Sequence, residues 1–236
     1  MAVTRSLYFA NSDIRSTASA IESILHIKTS HEDLGARGVA LWFEHTGSNF
    51  GALELISSYH SYAHMGEVTK QYRNNPDFGT DYRTSPNSSV QLTSAWNCDI
   101  AWLFNERWTE LEEGELEELS IFVEYPINVA AQLQPLSAER FDVIEMLNPL
   151  AEVVSTEGGF TGLRNITAGH LPGAGNSSSY TSVFDIYFKD WSAYERALSS
   201  LSDKGILIDL ARRSTGTPFI GTSRIKTRLD IEGHFA

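Results

Sequence analysis

Cysteine is nearly absent: Cys98 is the single one in 236 residues. That excludes an internal disulfide and a cysteine-rich zinc site, and it agrees with a reducing compartment. Basic residues are also scarce, 18 Lys and Arg against 30 Asp and Glu, for a net charge of -12. Phosphate binding needs a basic surface, so nucleic acid is not an expected partner. Long apolar runs are missing. Val39–Phe43 is typical of those present, whereas a membrane helix needs about 20 apolar residues. No membrane partner is expected. Met1–Ser6 lacks the apolar stretch of a secretory signal. Together these absences lead to the expectation of a cytoplasmic protein. Familiar catalytic motifs are missing too. Gly173–Ser177 is glycine-rich but has no lysine for a phosphate loop, and there is no Gly-x-Ser-x-Gly elbow.

What remains is the composition of a globular chain, 42% hydrophobic and 20% charged. Its acidity is concentrated. Residues 106–118 carry seven Glu and one Arg, half of the net charge. A block of like charge reads as a solvated helix or linker. It also stands close to mid-chain and divides the sequence in two.

The two parts repeat one order of elements. In the first, Ser6–Ala10 reads as a strand. A helix follows with Ile14, Ala18, Ile21 and Leu25 at helical spacing, then strands at Val39–Phe43 and Ala52–Ile56. A helix from Tyr59 to Tyr72 and a strand at Val90–Trp96 complete it. In the second, a strand at Ser120–Tyr125 precedes a helix capped by Ser137, with Phe141, Ile144, Leu147 and Ala151 on its face. Strands at Phe160–Thr167 and Tyr180–Phe188 follow. Asp190 then caps a helix bearing Trp191, Tyr194, Leu198 and Leu201, Ile206–Leu210 adds a short helix, and Ile220–Leu229 closes the chain as a strand. Each part is β-α-β-β-α-β, the ferredoxin-like order. Leu53-Glu54-Leu55 and Phe184-Asp185-Ile186 share an apolar-acid-apolar pattern just before the second helix of each. The fold class is therefore α+β. Residues 1–104 and 120–236 are expected to form two tandem ferredoxin-like units, joined by an acidic linker or helix at 105–119. A lone unit leaves one sheet face bare, and two can pack sheet to sheet as an intramolecular α+β barrel.

This order resembles the dimeric α+β barrel superfamily, most closely along Val183-Phe184-Asp185-Ile186-Tyr187-Phe188-Lys189-Asp190-Trp191-Ser192-Ala193-Tyr194. Members include cofactor-independent antibiotic-biosynthesis monooxygenases, polyketide cyclases, haem-degrading enzymes, chlorite dismutase-like haem proteins and stress-responsive barrels. The resemblance implies a pocket between a sheet and its helices. It also implies a small-molecule enzyme, a monooxygenase or cyclase of an aromatic or polyketide-like substrate, without a cofactor. The alternatives are a haem protein of the chlorite dismutase-like type, a metal-dependent enzyme and a non-catalytic ligand-binding barrel. A homo-oligomer stays open.

The residues offer candidates for each. On a helix, His60, His64 and Glu67 stand at i, i+4 and i+7 and share a face. His60 or His64 is the candidate catalytic base. With Glu67 the pair has the donor set of a divalent transition-metal site. Trp42, His45 and Tyr59 are candidates to bind and orient substrate, in a chain with 11% aromatic residues. Trp42 and Glu44 share a strand face with Ala40, and Leu41 and Phe43 share the other. His170 and Arg164 have same-face parity on a strand and are the candidate haem ligand and propionate partner.

Overall fold

A computed structural model describes residues 3–11, 17–46, 50–74, 90–105, 107–110, 125–133, 140–169, 182–213 and 223–230. In order the elements are β1 (Val3–Asn11), α1 (Thr17–Asp33), β2 (Arg37–Glu44), β3 (Leu53–Tyr59), α2 (Tyr62–Asn74), β4 (Val90–Asn105) and β5 (Arg107–Glu110). They continue with β6 (Ile127–Leu133), α3 (Arg140–Thr156), β7 (Gly159–Gly169), β8 (Ser182–Phe188), α4 (Trp191–Asp203), α5 (Ile206–Arg213) and β9 (Ser223–Arg228). The Ser137 cap and His170 lie outside the described residues, as does the acidic segment beyond Glu110. No helix among the described residues is long and apolar enough to cross a membrane.

The architecture is α+β with one curled antiparallel sheet. The nine strands run β1-β3-β2-β9-β6-β8-β7-β4-β5, and β4 pairs back on β1. The ring closes through β2–β9 in one direction and β4–β7 in the other. Within the first half the order is β2-β3-β1-β4, and within the second β7-β8-β6-β9.

Strand alternation sorts the side chains into two environments. Leu7, Phe9, Val39, Leu41, Leu53 and Leu55 face outward and join Ala20, Ile24 and Ile27 of α1 in one core. Val129, Leu163, Phe184, Ile186 and Phe188 do the same in the second half, with Leu147, Leu150 and Val154 of α3 and Leu201 of α4. The alternate residues point into the barrel. Ala40, Trp42 and Glu44 are among them, on the shared face expected for them, and all are buried.

Several boundaries differ from the sequence-based expectation. Tyr59 ends β3 rather than starting α2, because it pairs with Val3 and extends the ladder. β4 runs on to Asn105, held by β1 and then β7. The first strand of the second half is Ile127–Leu133, which pairs with both β8 and β9; of the expected strand at 120–125, residues 120–124 lie outside the described residues. Arg107–Glu110, inside the expected acidic linker, is a strand on β4. The buried stripe of α1 is Ala20, Ile24, Ile27 and His31, while Ala18 is exposed. In α4 the buried stripe is Ala193, Ala197 and Leu201, leaving Trp191 and Leu198 exposed. Small residues face the sheet there because they let the helix approach it closely. Asp190 caps α4 as expected, accepting from the Ala193 N–H at 2.7 Å.

Candidate active site between the first sheet and its helices

Polar residues gather on the helix side of the first half, within an otherwise apolar core. Arg5 of β1 lies opposite Ser57 of β3, and Val3 lies opposite Tyr59. From α1, the buried His31 brings Nδ1 to 3.2 Å from Ser57 Oγ. The Tyr72 ring of α2 meets His31 edge-on at 4.9 Å. Ser57 also hydrogen-bonds the Tyr59 hydroxyl. Arg5 Nη1 donates to Thr69 Oγ1 of α2 at 3.1 Å. Burial, with the Arg5 charge beside it, lowers the His31 pKa to about 4. Burial raises that of Tyr59, against the Ser57 hydrogen bond and Arg5. At neutral pH both are uncharged, and both retain their hydrogen-bonding chemistry.

His60 and His64 stand at the outer end of this cluster. Their rings stack at 5.2 Å, and His64 meets the Tyr59 ring edge-on at 5.9 Å. His64 is also a capping residue. Ser61 Oγ accepts from the His64 N–H, and His64 Nδ1 accepts from the His60 backbone N–H, each at 3.2 Å. The neutral imidazole of His64 therefore carries its proton on Nε2. Gly35, at φ 103°, ends α1 where a Cβ would stand 3.5 Å from that nitrogen. His64 is half-buried, and its pKa is lowered by burial, then by His60 and Arg37. His60 and Glu67 are exposed. Among the described residues no three His, Cys, Asp or Glu are arranged to hold a metal ion.

The other aromatic and histidine candidates stand elsewhere. Trp42 is on the opposite face of the sheet, inside the barrel. It is 1% exposed, tilted against Tyr187 at 6.0 Å, with the Arg228 guanidinium 5.3 Å from its ring centre. His45 is exposed after β2, its Nε2 2.6 Å from Thr227 Oγ1. Trp42 is thus inside a polar belt that crosses the barrel. Arg164 binds Asp185 through Nε at 2.5 Å and Nη2 at 3.0 Å, and donates to Thr4 Oγ1 at 3.3 Å. Asn128 also donates to Asp185. Lys226 pairs with Glu54, and Arg224 donates to the Tyr8 hydroxyl at 3.3 Å. Burial alone would raise the Glu54 carboxyl, but the Lys226 charge and hydrogen bond outweigh it and hold the pKa below the usual value.

No protein-family model matches the sequence, and no curated protein matches it. Solved structures do. A protein from Fusobacterium nucleatum subsp. nucleatum, to which a monooxygenase role is ascribed, superposes with a TM-score of 0.56 at 13% identity, covering 96% of this chain and 91% of its own. A mutant chlorite dismutase from Candidatus Nitrospira defluvii gives 0.52 at 9% identity, covering 96% and 91%. A heme-binding protein from Thermus thermophilus gives 0.51 at 8% identity, covering 97% and 91%. The chain shares the α+β barrel fold of these structures. At these identities the likeness carries the fold alone.

Whether this α+β barrel suits a haem is decided by its own residues. The helix side of the second half is filled by Leu147, Leu150, Val154, Phe184, Phe188 and Leu201. That half has no histidine among its described residues. Arg164 points into the barrel and is committed to Asp185. His170, the expected haem ligand, lies outside the described residues. Sequence reasoning passed over Arg5, His31 and Ser57. Their signal was faint: one histidine ending an apolar helical stripe, and one serine pair within a strand.

Proposed function

We propose that each half of the barrel is a ferredoxin-like unit, and that the chain is a small-molecule enzyme working in the first. It oxygenates or cyclises an aromatic or polyketide-like substrate without a nucleotide cofactor. One observation carries this reading. Uncharged, hydrogen-bonded His31, Ser57 and Tyr59 lie between the sheet and its helices, with the His60–His64 pair at their outer end.

The two outer histidines take different parts. His64 Nδ1 is occupied by a backbone N–H, so its Nε2–H is a donor for a substrate oxygen. His60 keeps its imidazole for proton abstraction, and Tyr59 forms the inner wall. Deprotonation leaves an electron-rich anion. That anion either attacks a carbonyl of the same molecule, giving a ring, or passes electrons to dioxygen without an enzyme-bound carrier. Trp42 and His45 have no part in this site.

The test is turnover of hydroxylated polycyclic aromatics and poly-β-ketones, followed by oxygen consumption and by mass spectrometry. Turnover is expected, and it should be abolished in His60→Ala/His64→Ala protein that retains the wild-type circular dichroism. Absence of turnover, or turnover indifferent to the double substitution, overturns the assignment.

A further inference from the structure

The two halves of the barrel pair their strands alike, so each is a control for the other. In the first half Arg5 of β1 lies opposite Ser57 of β3. At the matching point of the second, Ile127 of β6 lies opposite Phe188 of β8. His31 stands two residues before the end of α1, and Val154 two before the end of α3. Ile127, Val154 and Phe188 belong to one apolar cluster. One architecture thus fills the same position with Ile, Val and Phe in one half and with Arg, His and Ser in the other. The polar version is the costly one, because buried polar groups are stripped of water and must find partners inside. The second half shows that the fold does without it. The polarity therefore serves something besides the fold.

We propose that Arg5, His31 and Ser57 form an oxyanion pocket, which takes a molecule bearing an ionisable hydroxyl, a phenol or an enol, and holds it as the anion. This deepens the functional reading above and rests on its placement of the site. Arg5 supplies the charge. Its Nη1 is held by Thr69, while its Nε is shielded from solvent and has no hydrogen-bond partner among the described residues. That N–H is the donor the oxyanion takes. The ligand O–H bond breaks, its electron pair stays on oxygen, and the proton passes to bulk water, while His31, paired with Ser57, stays neutral and lines the anion. No oxidant is needed. Ser57 and Tyr59 orient the imidazole and the ligand. Helix α2 covers the pocket, and its buried residues are Val68 and Tyr72.

The probe is 1-naphthol, whose anion has its own absorption band, with 1-methoxynaphthalene as the partner that cannot ionise. Wild-type protein is expected to bind naphthol as the anion, lowering its apparent pKa by at least one unit, and at least tenfold more tightly than the ether. Arg5→Gln should weaken naphthol at least tenfold and remove the anion band. The variant Arg5→Ile/His31→Val/Ser57→Phe, which copies the second half, should melt no lower than wild type and show no anion band. Failure of wild type to bind naphthol overturns the proposal, as does an anion band that survives Arg5→Gln. A triple variant that melts well below wild type also overturns it, since the polar residues would then serve the fold. None of these measurements needs turnover. An intact anion band in a protein without turnover would sink the enzymatic reading alone. Turnover with binding indifferent to Arg5 would sink the oxyanion pocket alone.

Discussion

His31 shows how far one buried side chain can set a protein's response to acid. Its folded pKa of about 4 lies below the ordinary histidine value of 6.5. Between those values the unfolded chain binds more protons than the folded one. The stability this residue contributes is therefore complete above about pH 6.5 and lost as the pH falls towards 4. A shift of that size corresponds to roughly 3 kcal/mol. Urea denaturation of wild type and His31→Gln at pH 7 and pH 4.5 should show a smaller acid loss in the variant. Equal losses would mean that His31 is not held neutral by burial.

At the scale of elements, helix ends are where single polar atoms matter. His64 and Ser61 cap α2, and Asp190 caps α4. Removing one such acceptor costs about 1 kcal/mol. Asp190→Ala should lower thermal stability by about that amount and leave the His60–His64 region unchanged. His64→Ala should cost a similar amount and also disturb the positioning of His60. Amide exchange separates the two: in His64→Ala it should quicken at the start of α2 and not in α4. Protection unchanged at α2 would deny His64 a capping role.

For the whole molecule the decisive feature is the charged interior. Glu54 and Asp185 occupy matching places in the two halves, and each faces a cation inside the barrel. Breaking a buried pair leaves one charge uncompensated, at a cost of about 3 to 5 kcal/mol. Glu54→Leu or Lys226→Met alone should each lose roughly that much. The double variant Glu54→Leu/Lys226→Met should recover most of it, because an apolar pair leaves no orphaned charge. Chemical denaturation of the three variants measures the coupling. Additive losses in the double variant would show that the two side chains do not act as a pair.

Local patterning was enough to read most of the order of elements, the shared face of Ala40, Trp42 and Glu44, the Asp190 cap and the equivalence of Glu54 with Asp185. Each depends on neighbours within a few positions, through period-2 alternation or the needs of a helix end. Closure of the sheet made the remaining decisions. Tyr59 became a strand residue because Val3, far away in sequence, pairs with it. Trp42 and Tyr59 came to lie on opposite sides of one sheet, although both are aromatic and close in sequence. Arg164 met Asp185 only because β7 and β8 are neighbours. Arg5, His31 and Ser57, drawn from two strands and a helix, look unremarkable along the chain. Only the tertiary structure brings them together, because burial and strand register depend on contacts that no local window of residues contains.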